Sequence, residues 1–327
     1  MSVAKTIAVA GATGFVGRYI AKELLARGHR VRALIRDRAK AEQVLGRRVE
    51  ADLVVGDVLD GRSPHELLRG CDACVNAIGI LRESSGGQTF TRMHAGATEA
   101  LVEASKALGV GRFVQVSALG VRAQGASAYQ RTKWDAELIV RRSGLDWTIF
   151  RPSMIHAPDS GMMQELSKLV TGKSPPYKFM PYFARPVTDT SVCMGPTRYQ
   201  EPQLQPVAVE DVAASVAAAI DTDDAIGEVY TLTGPETFTW PELLEFLRDT
   251  LPEGLPGLKP RRVPGDLAII GAKLAGALGL GALLPFDAGM VVMATENGVA
   301  DTGKARDHLG FDPAPFRERV RAYAARV

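Results

Sequence analysis

The chain has 327 residues, a formal net charge of +2 at pH 7, 46% hydrophobic residues and 23% charged residues. These values are ordinary for a soluble globular protein that is long enough for one large α/β domain and a smaller lobe. The small net charge, and the lack of a basic cluster flanked by aromatic residues, argue against a nucleic-acid partner.

The N-terminal segment predicts a dinucleotide-binding turn. An apolar run, Ile7–Ala10, is typical of a buried strand and leads into three spaced glycines, before a helical pattern that ends at Gly28. In such a turn the first glycine permits a sharp bend, the second lets backbone N–H groups approach a diphosphate, and the third lets the helix pack closely on the strand. The predicted diphosphate-contacting residues are Gly11, Thr13, Gly14, Phe15, Val16 and Gly17.

The end of the second predicted strand bears on the choice of cofactor. This strand, Val31–Ile35, is followed by Arg36 and Asp37, at the position where a dinucleotide fold contacts the adenosine ribose. An arginine pairs with a 2′-phosphate, whereas a carboxylate accepts hydrogen bonds from a free 2′-hydroxyl. Because Arg36 comes first, we predict NADP (NADPH) as the cofactor. In the alternative, Arg36 is solvated and Asp37 contacts the ribose of NAD.

Further strands alternate with helices and predict a doubly wound parallel sheet, the Rossmann α/β fold. The predicted strands are Leu53–Val55, Ala73–Ile78, Phe113–Val116 and Trp147–Phe150, with helices at Thr91–Leu108 and Ser127–Arg142 among them. Side chains where these strands end border the cofactor in such a sheet. The further predicted cofactor-binding residues are Asp57, Val58, Asn76, Ala77, Ile78, Gly79, Lys133 and Pro152.

The regular alternation stops after Pro152. We predict a Rossmann core over residues 1–152 and a small C-terminal substrate-side lobe over 153–327, from which 207–232 returns to the sheet. Residues 171–206 hold seven prolines and little periodicity, which predicts a long substrate-side loop or lid. The apolar segment Asp266–Leu284 contains Lys273 and four glycines. It predicts a buried or interfacial helix, with peripheral membrane contact left open.

Cysteine usage and the N-terminal sequence predict a cytoplasmic protein. The first predicted strand begins within a few residues, without a signal-peptide pattern, and the chain has three cysteines. Membrane association on the cytoplasmic side stays open.

Cys71 and Cys74 form a C-x-x-C pair, which can bind zinc or act in redox chemistry. Because Cys74 begins an apolar strand and only Cys193 adds a further thiol, we predict no metal site.

A tyrosine and a lysine one helical turn apart are the candidate chemical groups. Tyr129 and Lys133 share one face of the predicted helix Ser127–Arg142. Ser117 stands at the end of the strand that precedes this helix. The carboxyl ends of parallel strands form the ligand-binding edge of such a sheet, so we expect these side chains at the cofactor.

These residues resemble the short-chain dehydrogenase/reductase family in the glycine pattern, Asp57, Asn76–Gly79, Ser117, Tyr129 and Lys133, over at least Ile7–Asp211. More narrowly, several segments are similar to the atypical extended branch that includes subunit nine of the mitochondrial complex I alpha subcomplex. They are VNAIGI, RFVQVSALG, SAYQRTKWDAE, LDWTIFRPS, QPVAVEDVA and VADTGKARDHLGF. The resemblance thus covers nearly the whole chain.

The resemblance implies roles for four residues. Tyr129 would protonate a carbonyl oxygen as hydride arrives, and Ser117 would hold that oxygen. Lys133 would contact the nicotinamide ribose and lower the tyrosine pKa from about 10 towards about 7. The extended enzymes usually place an asparagine where this chain has His94. A histidine can also relay protons near neutral pH, so both a catalytic and a packed structural His94 stay open.

Two functions of different classes follow. The first is an NADP-dependent oxidoreductase that acts on a small, apolar carbonyl or alcohol, with a sugar-nucleotide epimerase as the weaker enzymatic option. The second is a non-catalytic NADPH-binding structural or assembly subunit. The partner would be a small-molecule substrate in the first case, and a respiratory or membrane-associated complex in the second.

Overall fold

The computed structural model describes residues 3–46, 51–84, 86–187, 198–277 and 286–327. Strands and helices alternate in its first 152 residues. They are β1 (Thr6–Ala10), α1 (Phe15–Ala26), β2 (Arg30–Ile35), α2 (Arg38–Leu45), β3 (Ala51–Val55), α3 (Ser63–Leu68), β4 (Ala73–Asn76), α4 (Ala97–Leu108), β5 (Arg112–Val116), α5 (Ala128–Arg141) and β6 (Asp146–Pro152). A π-helical turn, Arg92–Gly96, leads into α4.

The elements after β6 are shorter and less regular. They are β7 (Ile155–His156), α6 (Gly161–Val170), β8 (Met180–Val187), β9 (Arg198–Gln200), β10 (Gln203–Leu204), β11 (Val207–Ala208), α7 (Val209–Ile220), β12 (Glu228–Leu232), β13 (Phe238–Thr239), α8 (Trp240–Thr250), β14 (Pro260–Pro264), α9 (Gly265–Ala277), α10 (Ala288–Ala294), α11 (Gly303–Leu309) and α12 (Phe316–Tyr323).

Seven parallel strands form the main sheet, in the order β12-β6-β5-β4-β1-β2-β3. This sheet, with helices between its strands, confirms the predicted Rossmann-like fold. The strand order reverses between β1 and β4, which pair directly. The carboxyl ends of these two strands therefore border the crevice in which open α/β sheets bind their ligands.

The chain divides into two compact units. The first contains Met1–Pro152, Val209–Leu232 and Ala300–Asp312, and the second contains Ser153–Ala208, Thr233–Val299 and Pro313–Val327. The boundary at residue 152 agrees with the break in the sequence pattern. No pattern in the sequence predicted, however, that 300–312, which carries α11, belongs with the first unit.

Each unit has its own apolar core. In the first, Leu101 of α4 and Leu67 of α3 pack against Phe113 of β5, and all three are fully buried. Half-buried Arg112 connects parts of this unit, because its guanidinium donates to the backbone oxygens of Asp146 and Ala219. In the second unit, α6, α8 and α12 pack around residues such as Leu244 and Phe316.

The prediction of a long loop over residues 171–206 was wrong for the part that the structure describes. This segment contains β8, β9 and β10, and β8 pairs with both β14 and β9. The alternating burial of Met180–Ala184 is that of a strand. Residues 188–197, with Cys193, lie outside the described residues.

The apolar segment Asp266–Leu284 forms α9 as far as Ala277, and its remainder, 278–284, lies outside the described residues. Across the described ranges of the chain, we find no helix that combines the length and the apolar character needed to cross a membrane.

Candidate functional site

The glycine-rich turn between β1 and α1 has the shape that a diphosphate site needs. Gly11 has φ +86°, and a Cβ there would lie 2.9 Å from the carbonyl carbon of Ala77. A Cβ on Gly17 would lie 2.1 Å from the Gly11 oxygen. Side chains at these positions would therefore fill the space in which the start of α1 approaches the ends of β1 and β4.

The N-terminus of α1 fits an anionic group. Its N-cap, Gly14, is extended and has no side chain that could cap the first turn. The first N–H groups of a helix have no partner within the helix, and the helix dipole places partial positive charge on them. The next residues, Phe15 and Val16, begin the helix, and Thr13 stands in the turn itself. The predicted turn residues are thus brought together at one anion-binding end.

Arg36 and Asp37 differ in how they are engaged at the end of β2. Arg36 is exposed. Asp37 is the N-cap of α2, and its carboxylate accepts a hydrogen bond from the Lys40 backbone N–H at 3.1 Å. The capping bond occupies one oxygen of the carboxylate that would otherwise contact a ribose.

The loop after β3 is shaped by its own carboxylates. Asp57 is exposed, and its Oδ1 accepts from the Leu59 backbone N–H at 2.9 Å, while Val58 is buried in the core. At the end of β6, the carbonyl of buried Pro152 accepts from the Leu119 N–H at 2.8 Å. Asp57 and Pro152 therefore fix the strand-end loops through these bonds.

Asn76 does not offer its side chain to a cofactor, which corrects the sequence prediction. Its amide donates to Thr98 Oγ1 and Gln115 Oε1, each at 3.0 Å, and its Oδ1 accepts from the Ile78 N–H at 3.0 Å. Asn76 is 1% exposed, and its bond to the Ile78 N–H holds the turn Ala77–Gly79 from the buried side. The backbone of that turn, and not the Asn76 side chain, borders the glycines of α1.

Lys133 lies where the ends of β4 and β5 meet. Its ammonium donates to the Val116 oxygen at 3.0 Å and to the Ile78 oxygen at 3.4 Å. Burial lowers the pKa of Lys133 to about 8, against the opposing attraction of Glu137. A Cβ on Gly79 would come within 3.2 Å of the Lys133 Nζ, so the bare glycine makes room for the ammonium.

Tyr129 lies one helical turn before Lys133 and is half-buried between rings. It makes edge contacts with Phe90 and His94, at centroid distances of 5.8 and 5.2 Å. Burial raises the pKa of Tyr129 to about 12. The expected lowering towards 7 is therefore not found, because burial is the one cause that acts on the phenol and the Lys133 ammonium is bonded to backbone oxygens instead.

Ser117 is not free to hold a substrate oxygen, which corrects its predicted role. Its hydroxyl donates to Glu137 Oε1 at 2.6 Å, and Glu137 is fully buried. Arg151 pairs with both oxygens of the same carboxylate, at 2.8 and 2.6 Å. A hydroxyl has one proton, and here that proton binds the protein's own buried carboxylate.

Both ring nitrogens of His94 are engaged by the protein in this geometry. Thr132 Oγ1 donates to the Ala128 oxygen at 2.9 Å, so His94 Nδ1 must donate to Thr132 Oγ1 across their 2.9 Å contact. His94 Nε2 then accepts from the Ile80 N–H at 3.4 Å. Burial, and next the nearby Lys133 charge, lower the pKa of His94 to about 3. The ring is therefore neutral at physiological pH.

Sequence reasoning missed Glu137, Arg151 and Phe90 as parts of the site. One signal was present for Glu137, because Tyr129, Lys133 and Glu137 recur every four residues and thus form one stripe on α5. No local pattern marked Arg151 or Phe90, since each reaches the site only through the tertiary fold. The π-helical turn that carries His94 was also missed, and such turns are frequent at functional sites.

The two cysteines of the C-x-x-C pair lie in the protein interior. Cys71 and Cys74 are both free and buried. Burial raises the pKa of the Cys71 thiol to about 11 and shifts the pKa of the Cys74 thiol further in the same direction. Both are thus thiols at neutral pH, whereas metal binding and redox exchange require the thiolate.

A family model described as NAD(P)H-binding matches residues 11–174, half of the chain. The mitochondrial NADH dehydrogenase [ubiquinone] 1 alpha subcomplex subunit 9 of Arabidopsis thaliana is 29% identical over 249 residues, which are 75% of this chain but only 58% of that protein. Ceramide reductase of Caulobacter vibrioides is 28% identical over 312 residues, 94% of this chain and 86% of that protein.

Among solved structures, the NADPH-dependent quinone oxidoreductase QOR2 of Escherichia coli, complexed with NADPH, superposes with a TM-score of 0.70 at 19% identity. The match covers 97% of this chain and 99% of that one, so it describes the fold of the whole chain. Together with the glycine turn and the seven-stranded parallel sheet, these matches identify the chain as a member of the NAD(P)H-binding family, with the fold of the extended short-chain dehydrogenases and reductases.

Proposed function

We propose that this chain is an NADP-dependent oxidoreductase that reduces a small, apolar carbonyl compound to the alcohol. The observation that carries the proposal is the stripe on α5. It places a protonated phenol, Tyr129, one turn from a buried ammonium, Lys133, at the carboxyl ends of β4 and β5. This is the edge at which the glycine turn of α1 also lies.

In this proposal Tyr129 is the acid and Lys133 is the positioning cation. A bound nicotinamide would supply the hydride to the carbonyl carbon. Tyr129 Oη donates its proton to the carbonyl oxygen, which completes the alcohol, and water then returns a proton to the phenolate. Lys133 holds the ribose side of the cofactor and stabilises the phenolate through its charge. In this arrangement Ser117 supplies no second donor, because Glu137 accepts its proton.

Apolar groups near Tyr129 support an apolar substrate. The Phe90 ring packs against both Tyr129 and His94. Ile80 is bonded to His94 through its backbone, and the next residue, Leu81, is 58% exposed. A hydrophobic carbonyl compound would cover these side chains, whereas a sugar nucleotide would leave its hydroxyl groups unpaired against them.

The engagement of Asp37 supports NADP over NAD. Its carboxylate caps α2, while Arg36, the residue after β2, is exposed and would pair with a 2′-phosphate. Cytoplasmic localisation stays a prediction.

A non-catalytic NADPH-binding subunit is the second candidate. It is favoured by the similarity to subunit 9 of the complex I alpha subcomplex and by the pKa of Tyr129, which burial raises without an opposing charge. In this case the glycine turn and Lys133 would bind the nucleotide for stability alone.

Replacing Arg36 with alanine tests the cofactor assignment. We expect NADPH to bind roughly ten- to a hundred-fold more weakly, and NADH to change by less than about two-fold, because only the 2′-phosphate loses its charge-assisted contact. Fluorescence titration with both nucleotides measures the ratio. Arg30→Ala is the matched control, since this exposed arginine starts the same strand. Equal affinities of the unmodified protein for NADPH and NADH would contradict the assignment.

Tyr129→Phe tests the acid. We expect a loss of roughly a hundred-fold or more in carbonyl reduction, with NADPH affinity unchanged, because the change removes one proton donor at nearly constant shape. NADPH consumption is followed with benzaldehyde, cyclohexanone and menadione as carbonyl probes. Tyr177→Phe is the control, since Tyr177 is 59% exposed and lies in the second unit. Turnover that persists in Tyr129→Phe would place the acid elsewhere.

The pKa of Lys133 predicts a pH dependence of cofactor binding. The ammonium loses its proton as pH rises through about 8, so NADPH affinity should fall by several-fold between about pH 7 and about pH 9.5. Lys133→Met should bind weakly at both values and show no such fall. Lys106→Met, an exposed lysine on α4, should keep the slope of the unmodified protein. The same slope in Lys133→Met would refute a role for this ammonium.

Nucleotide exchange separates the two candidate functions. A reductase must release its oxidised cofactor in every cycle, so bound NADPH should be displaced by excess NADP⁺ on the order of seconds to minutes. A structural subunit has no such requirement. The decay of NADPH fluorescence after mixing gives the rate. Nucleotide that survives prolonged dialysis, together with a lack of turnover on all three carbonyl probes, would establish the second candidate instead.

A further inference from the structure

Helix α9 exposes an apolar stripe. Leu267, Ile270 and Leu274 are 61%, 55% and 59% exposed, while Ala268 and Ala272 on the opposite side are buried. At roughly 100° per residue, the three exposed side chains fall within an arc of about 60°. We call these three residues the α9 outer face. In the described part of the chain, no other helix or strand carries more than one exposed large apolar side chain.

Exposed cations lie on α9 beside the outer face and on the strand that precedes the helix. Lys273 is exposed and lies about 60° around the helix from Ile270, at the margin of the stripe. The strand that leads into α9 and the residue before it add three exposed cations, Lys259, Arg261 and Arg262. The one acid between residues 259 and 277 is Asp266, which is half-buried in the first turn of α9. The surface thus joins apolar and positive character.

We propose that the α9 outer face lies on an anionic phospholipid bilayer, parallel to its surface. The stripe would enter the boundary between head groups and acyl chains, and Lys273 would extend its ammonium to the lipid phosphates. The cations of the preceding strand would add attraction to a negatively charged leaflet.

The charge pattern favours a bilayer over a second copy of the chain. A two-fold contact through α9 would bring the cations of both copies to one interface, where each copy contributes Asp266 as the one acid between residues 259 and 277. The stripe also offers aliphatic carbon with neither aromatic anchors nor hydrogen-bonding groups, whereas protein interfaces are centred on such anchors. Acyl chains require no directional partner, and lipid phosphates supply the missing negative charge.

Vesicle flotation of the full chain tests this proposal. The protein is mixed with vesicles of phosphatidylcholine alone, or of phosphatidylcholine with phosphatidylglycerol. We expect flotation with the anionic vesicles, reduced by high salt, and little with phosphatidylcholine. A Leu267→Ser, Ile270→Ser, Leu274→Ser triple variant should lower the partition coefficient roughly a hundred-fold, and Lys273→Glu roughly ten-fold.

The controls separate binding from folding. Leu108→Ser removes an exposed apolar side chain from the end of α4 and should float like the unmodified protein. All variants should retain NADPH binding and an unchanged unfolding temperature, since every altered side chain is exposed. Failure of the unmodified protein to float with anionic vesicles would overturn the proposal. Unchanged flotation of the triple variant would also overturn the proposal. If the unmodified protein is a dimer and the triple variant is a monomer that floats equally well, the α9 outer face binds a second copy of the chain instead.

Discussion

The buried carboxylate of Glu137 is the constraint on which the site depends. It accepts from Arg151 through both oxygens and from the Ser117 hydroxyl, so one group on α5 is bonded to the end of β6 and to the residue after β5. Removing one member of a buried ion pair typically costs about 3–5 kcal/mol, because the remaining charge is stranded. Helix α5 therefore cannot rotate or slide without breaking this network, and Lys133 and Tyr129 are held one and two turns away from a fixed point.

The absence of side chains at two glycines is the complementary requirement. Gly11 lets the turn after β1 approach Ala77, and Gly79 leaves room for the Lys133 ammonium. The Lys133 ammonium on α5 could not contact a nucleotide if Cβ atoms occupied the space at the ends of β1 and β4. The site thus combines a hydrogen-bond network that positions α5 with glycines that leave space for a nucleotide. The glycines allow the nucleotide to bind whether or not the protein catalyses a reaction.

Local patterns were enough to predict the parallel sheet, the glycine turn and the pairing of Tyr129 with Lys133, because each depends on residues close in sequence. The hydrogen-bond partners of Ser117, Asn76 and His94 could not be predicted. Ser117 is twenty residues from Glu137, and His94 is thirty-eight from Thr132, so only the fold decides whether each polar group faces a ligand or the protein. The prolines of this segment led to the prediction of a loop where β8 lies. Pro181 and Pro186 are part of this strand, and the burial of its first five residues alternates.

The protonation states of three side chains at the site follow from their burial. Burial keeps the pKa of Tyr129 at about 12, so the phenol carries its proton throughout the physiological range. Lys133, whose pKa burial lowers to about 8, is mostly charged at neutral pH, and His94 is neutral and bonded at both nitrogens. At neutral pH Tyr129 is thus a neutral phenol, Lys133 is mostly an ammonium and His94 is a neutral ring. If Tyr129 is the acid that we propose, it donates its proton to a developing alkoxide from this state, and oxidation of an alcohol by the same route requires the phenolate at the cost of burying its charge. A positive charge next to Tyr129 would be needed to lower that cost, and Lys133, one turn further along the same face of α5, is the residue that would supply it.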